Sequence, residues 1–303
     1  MERHPLILHV GLQKTGTSSI QLMLSGSAAT LSEAGYHYPD LPGPRGGVRS
    51  SPFRHNILAG TYADFHSVFD KLTPDEEETF WSGVRHAPTA AILSAEEFSR
   101  QRDFGPMAAR MQTLEVRPVI YLRRQDLFVE SLYNQRNKLL LMRDDPSLLD
   151  PDLLGEPALF AFIKASNYTQ VLNFERLIRA MEDRFRGPPP VVRLFDRATL
   201  TEGDVCQDFA EAVGLPRAAM TIPRAAANES VPNAALEEIL AVLRTRGEGP
   251  AKQKMREIRE ALKAGTLARG GYRILTDGTR RNLLGQYAGI NRFVADRFGV
   301  TIR

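Results

Sequence analysis

Lys14 stands in a run of glycines and hydroxyls, Gly11-Leu12-Gln13-Lys14-Thr15-Gly16-Thr17-Ser18-Ser19, that begins where the apolar segment Pro5–Val10 ends. A buried strand, a tight turn and a helix start in succession make an anion site. Backbone N–H groups converge in the turn, and the helix terminus adds about half a positive charge. The run adds four hydroxyls and one ammonium to that backbone. Against the nucleoside-triphosphate loop GxxxxGK[ST], Gly11 and Gly16 keep the spacing, but Thr17 occupies the lysine position and the lysine is displaced to Lys14. At the mouth of the loop an ammonium suits a bridging or transferring group better than the β- and γ-phosphates.

A second phosphate grip lies further along, in Val119-Ile120-Tyr121-Leu122-Arg123-Arg124-Gln125-Asp126 followed by Leu127-Phe128-Val129-Glu130-Ser131. Arg123 closes an apolar strand, and Ser131 follows eight residues later on a helical stretch, so both side chains can take hold of one phosphate. Arg124 is a second guanidinium at the same strand end, and phosphate favours the arginine fork. Transfer to a hydroxyl also needs a base. The apolar strand Ala91–Leu93 runs into Ser94-Ala95-Glu96-Glu97-Phe98, which makes Glu96 the first choice and Glu97 the second. Ser94 and Glu97 also have the spacing of a capping box, a reading that accounts for Glu97 and leaves Glu96 over. His55, in Arg54-His55-Asn56, is a rival base or acceptor contact, whereas His9 inside the first strand reads as a core residue.

The motif Lys14-Thr15-Gly16-Thr17-Ser18-Ser19 resembles the 5′-phosphosulfate loop of sulfotransferases that use 3′-phosphoadenylyl sulfate (PAPS), and RRQD…ESLYNQ resembles their bacterial members. The resemblance implies a P-loop-like three-layer α/β fold around a parallel sheet. It implies PAPS as donor and PAP as product, with no metal. Gln13, Lys14, Thr15, Gly16, Thr17 and Ser18 would hold the 5′-phosphosulfate, and Arg123 with Ser131 the 3′-phosphate. The family's catalytic His or Glu follows the strand at the position of Glu96. The basic loop Ala268-Arg269-Gly270-Gly271-Tyr272-Arg273, before a helix over Arg280–Phe298 carrying Tyr287 and Asn291, resembles the segment closing over the donor in carbohydrate sulfotransferases, so Arg269 and Gly270 are expected donor contacts. The implied acceptor is a hydroxyl of a carbohydrate or lipid-linked glycan. An ATP-dependent P-loop kinase or hydrolase and a non-catalytic PAP-binding protein are the alternatives.

These residues need elements to position them. Short apolar runs at Pro5–Val10, Tyr36–Tyr38, Ala90–Leu93, Pro118–Leu122 and Val191–Phe195 alternate with helical periodicity from Ile20 towards Leu31, Leu127 to Met142, Tyr168 to Phe185 and Ala234 to Leu243. That alternation predicts a central parallel sheet with helices on both faces. Thr73-Pro74-Asp75-Glu76 is a helix start, and Asp144–Pro157 reads as a connector. The 303 residues read as one domain, with a loop insertion at about 39–58 and a helical part at about 225–303. A net charge of +3, without a clustered basic stripe, points away from nucleic acid. The one cysteine, Cys206, excludes an intramolecular disulfide framework. With no signal-like N-terminus and no apolar run near the ~20 residues of a bilayer span, a cytoplasmic protein is expected. Its oligomeric state stays open.

Overall fold

The computed structural model describes residues 3–41, 54–62, 71–101, 103–166, 168–223, 230–268 and 270–303. In chain order the strands are β1 (His4–Val10), β2 (Tyr36–His37), β3 (Ala90–Ala95), β4 (Leu114–Leu122) and β5 (Val191–Leu194). The helices are α1 (Thr17–Gly26), α2 (Ala28–Glu33), α3 (Asn56–Thr61), α4 (Pro74–Arg85), α5 (Gly105–Arg110), α6 (Gln125–Arg143), α7 (Glu156–Ala165), α8 (Phe174–Arg184), α9 (Val205–Val213), α10 (Asn233–Arg246), α11 (Glu248–Ala264), α12 (Asp277–Gln286) and α13 (Ala288–Phe298). The chain divides into two compact units, one of Met1–Arg123, Asn173–Ala226 and Gly289–Arg303, the other of Arg124–Leu172 and Ala227–Ala288.

The first unit contains the sheet. Its five strands are all parallel, in the order β2-β3-β1-β4-β5. β1 reads as a continuous apolar run because both of its faces are covered. Side chains alternate across a strand. Ile7, Ile92, Val119 and Tyr121 meet a cluster that includes Ile20, Met23 and Leu24 of α1, Leu31 of α2, and Phe209 and Val213 of α9. Leu6, Leu8, Leu93, Ile120 and Leu122, at alternate positions, are buried as well. The result is the three-layer α/β arrangement expected from the alternating periodicity. From β1 the chain crosses to β2 and β3 on one side and then to β4 and β5 on the other, so the loops after β1, β3 and β4 leave from neighbouring strand ends. In open α/β sheets such a switch point is where ligands bind.

The second unit consists of α6, α7, α10, α11 and α12 around its own core, in which Leu141, Leu148, Leu149 and Leu153 pack with Leu236, Ile239, Met255 and Ile258. Here the chain departs from the sequence pattern. The stretch Asp144–Pro157 is structured: a 3-10 turn covers Pro146–Leu149, and α7 starts with Pro157 in its first turn, where a missing N–H is harmless. The single C-terminal helix expected over Arg280–Phe298 is two, interrupted at Tyr287. The helix expected from Ile20 towards Leu31 also breaks, at Ser27, whose hydroxyl accepts a bond from the Thr221 N–H at 2.8 Å. Of the insertion expected at 39–58, residues 42–53 lie outside the described residues and α3 begins at Asn56.

Candidate active site

The loop after β1 is tied to the end of β3, with the Gly11 N–H donating to the Ala95 carbonyl at 2.9 Å. A Cβ at Gly11 would lie 2.6 Å from Thr17 Cγ2 and 3.0 Å from the Ala95 oxygen, so only glycine fits. Lys14 has φ 63° and Gly16 φ 81°. The left-handed turn at Gly16 is sterically open to glycine, whereas at Lys14 it holds about 1 kcal/mol of backbone strain. α1 is preceded by Gly16, which has no side chain to cap it, and of the first-turn N–H groups that of Ser19 donates to the Gly16 carbonyl at 2.9 Å, which leaves those of Thr17 and Ser18 without a side-chain cap.

The four hydroxyls divide into two pairs. Thr15 and Thr17 are buried and donate to the Leu12 carbonyl at 2.7 and 3.1 Å, so their side chains shape the loop from inside. Ser18 and Ser19, like Gln13 and Lys14, are only half-buried. Thr15 and Thr17, both expected binding residues, thus hold their hydroxyls on the inner side of the loop.

Glu96 directly follows β3. It is half-buried, while Glu97 is buried and salt-bridged to Arg100 at 3.0 Å. Ser94 lies inside β3 and does not cap a helix; the 3-10 turn Glu97–Arg100 starts on Glu96 instead. The Ser94 hydroxyl meets His9 Nδ1 at 2.8 Å. Burial pushes the Glu96 carboxyl above the usual carboxylate range; Arg54 and Lys14 pull it back and Glu97 adds to the rise. The same order of causes, burial first and Arg100 against it, raises Glu97. Glu96 is thus the carboxylate in the field of the loop lysine, and Glu97 is the one with a local ionic partner.

His55 is fully buried and both of its ring nitrogens are engaged. Nδ1 accepts from the Ser94 N–H at 2.8 Å, which leaves the proton on Nε2 to donate to the Pro39 carbonyl at 2.7 Å. Burial lowers its pKa to about 4. A neutral imidazole with both nitrogens on backbone groups holds structure together and has none left to take an acceptor proton. His9 is likewise buried, with its pKa lowered by burial to about 3, in keeping with a core residue. Asn56, which motif spacing gave no reason to single out, accepts the Glu96 N–H on Oδ1 at 3.2 Å. The two residues are 40 positions apart, so no local signal pairs them.

Arg123 follows β4 in the first unit. Its guanidinium donates to the Lys14 carbonyl at 2.8 Å and lies 5.7 Å from the Phe195 ring centroid. It therefore braces the loop after β1 as well as carrying a charge at the strand end. Arg124 belongs to the second unit and grips Asp126 with two bonds, at 2.7 and 2.9 Å, and Arg280 binds Asp126 and Glu130. Ser131 is half-buried in the seventh position of α6, also in the second unit. Gly270 sits against Pro232, where a Cβ would come within 2.9 Å, and Asn233 anchors the adjoining Gly271 and Arg273 backbone. Arg269 lies outside the described residues.

Lys14, Glu96 and Arg123 thus follow the C-terminal ends of β1, β3 and β4, three adjacent strands of one unit. Among the described residues, no group of three or more His, Cys, Asp or Glu side chains is placed to hold a metal ion, and no helix is long and apolar enough to cross a membrane. No protein-family model and no curated protein matches the chain. Among solved structures it is similar to a sulfotransferase from Alicyclobacillus acidocaldarius, with 16% identity and a TM-score of 0.40 over 86% of this chain and 97% of that one.

Proposed function

We propose that the protein is a PAPS-dependent sulfotransferase acting on a hydroxyl of a carbohydrate or lipid-linked glycan. The observation that carries this reading is the meeting of a displaced-lysine phosphate loop, a carboxylate and an arginine at the ends of three neighbouring strands. The loop suits a phosphosulfate: uncapped N–H groups at the start of α1, the Ser18 and Ser19 hydroxyls and the Lys14 ammonium all suit anionic oxygens. Arg123 and, by sequence spacing, Ser131 would take the 3′-phosphate, with Arg269 and Gly270 as further donor contacts.

When bound, PAPS supplies the sulfuryl group that passes to the acceptor hydroxyl. Glu96 takes the hydroxyl proton, and its raised affinity for protons suits a general base. Lys14 stabilises the negative charge left on the departing phosphate oxygen. Arg123, through the Lys14 carbonyl, holds the loop that carries this ammonium.

Calorimetry with PAP and ADP tests the reading. A 3′-phosphate held by an arginine contributes on the order of 1.5–3 kcal/mol, so PAP is expected to bind wild type at least about tenfold more tightly than ADP. Arg123→Ala should erase most of that ratio. Equal affinities in the wild type would sink the donor assignment and turn attention to an ATP enzyme. Tight PAP binding without transfer to any acceptor would leave a binding protein.

A further inference from the structure

His55 and Asn56, the two residues that directly follow Arg54, hold the C-terminal end of β3 through backbone and side-chain bonds. The His55 N–H donates to the Ser94 carbonyl at 3.1 Å, and the Ser94 N–H donates back to His55 Nδ1 at 2.8 Å. His55 Nε2–H reaches the Pro39 carbonyl at 2.7 Å, just past the end of β2. Asn56 Oδ1 then accepts the Glu96 N–H at 3.2 Å. Both side chains are buried, Asn56 at 7% exposure and His55 at 0%.

The Glu96 peptide is the first beyond β3, where the ladder with β1 ends at Ala95 and a strand N–H would be left without a partner. Asn56 supplies that partner, and so fixes the peptide plane from which the Glu96 side chain departs. His55 fixes Asn56 in turn, because its ring is pinned from two sides by neighbouring strand ends.

We infer that His55 and Asn56 form a positioning element for the Glu96 base, an inference that rests on the proposed transfer reaction. They touch neither donor nor acceptor; they aim the carboxylate. The charged groups facing Glu96 are Lys14 from the loop after β1, Arg54 directly before His55 and Glu97 on its own turn. A shift of the carboxylate changes its distance to all three.

The test measures sulfuryl transfer from PAPS across a panel of glycan and lipid-linked hydroxyls, with PAP calorimetry on each protein. Asn56→Ala is expected to bind PAP within about twofold of wild type while kcat falls roughly 10- to 100-fold, as small misplacements of a catalytic group do. The acidic limb of its kcat–pH profile should move. Asn56→Asp keeps an oxygen for the Glu96 N–H and should recover most of the rate. Its limb should lie at higher pH, because a second carboxylate opposes ionisation of the first. His55→Asn, which keeps an acceptor for Ser94 but loses the Pro39 bond, should fall between. If Asn56→Ala does not fold, the Asn56→Asp and His55→Asn profiles decide. Wild-type kcat and an unmoved limb in these variants, beside an inactive Glu96→Gln, would overturn the positioning role while leaving the transfer reading intact. A wild type that fails to bind PAP would overturn both, and calorimetry reads that outcome separately.

Discussion

Glu96 and Glu97 are adjacent carboxylates with different surroundings. Glu97 is tied to Arg100 within its own turn, whereas Glu96 faces the loop lysine and Arg54. Burial outweighs those cations and leaves the Glu96 carboxyl with a raised pKa. A carboxyl whose folded pKa is raised stabilises the fold below its ordinary range, and that contribution is lost as pH rises through the folded value. At neutral pH, above the ordinary carboxylate range, Glu96 therefore works against folding. Glu96→Gln should raise Tm at pH 7 by about 2 °C and lower transfer by roughly 100-fold or more. A scanning-calorimetry Tm at or below that of wild type would contradict the burial argument.

At the scale of elements, the turn between β1 and α1 holds two left-handed residues, Lys14 and Gly16. Gly11 cannot carry a Cβ against Thr17, and a Cβ at left-handed Gly16 would lie 2.7 Å from Val205 Cγ1. Lys14 holds the left-handed conformation with a full side chain, braced by Arg123 on its carbonyl. The strain gives two substitutions that both remove the ammonium different costs. Lys14→Gly relieves the backbone and Lys14→Ala does not, so the glycine variant should be about 1 kcal/mol the more stable in urea unfolding. Both should lose transfer. Equal stabilities would mean the turn carries no strain worth relieving.

At the scale of the whole molecule, acid stability depends on a buried carboxylate in α9. Asp208 of α9 is fully buried and accepts from the Tyr121 hydroxyl at 2.7 Å, from Arg193 Nε at 2.9 Å and from the Thr201 N–H at 3.0 Å. These join β4, β5 and α9, the helix whose Val205 packs on Gly16. Burial alone would raise this carboxyl, but Arg193 and the other donors outweigh it and hold it below the usual range. Its stabilisation is present above the ordinary Asp pKa of about 3.9 and is lost as pH falls through the lower folded value. Asp208→Asn should cost about 2–3 kcal/mol at pH 7, because Arg193 is partly solvated and softens the loss. The gap from wild type should narrow in acid; a gap constant from pH 7 to pH 3 would refute this account.

The strands, most helix positions and the tight turn between β1 and α1 were legible in the sequence, because each is a local matter. Alternating and continuous apolar runs report burial of a strand, and glycine spacing reports where a backbone must turn. The displaced Lys14 could be read in the same way, and so could His9 as a core residue. What tertiary structure alone decided is which groups meet. It turned the Thr15 and Thr17 hydroxyls inward on Leu12, engaged both nitrogens of His55, gave Glu97 to Arg100, and joined Asn56 to a peptide 40 residues away. Parallel strands meet only through long crossovers, so the residues at their ends are distant in sequence. The Gly11–Ser19 loop could be recognised from its own residues, but its carboxylate and arginine could be brought to it only by the sheet.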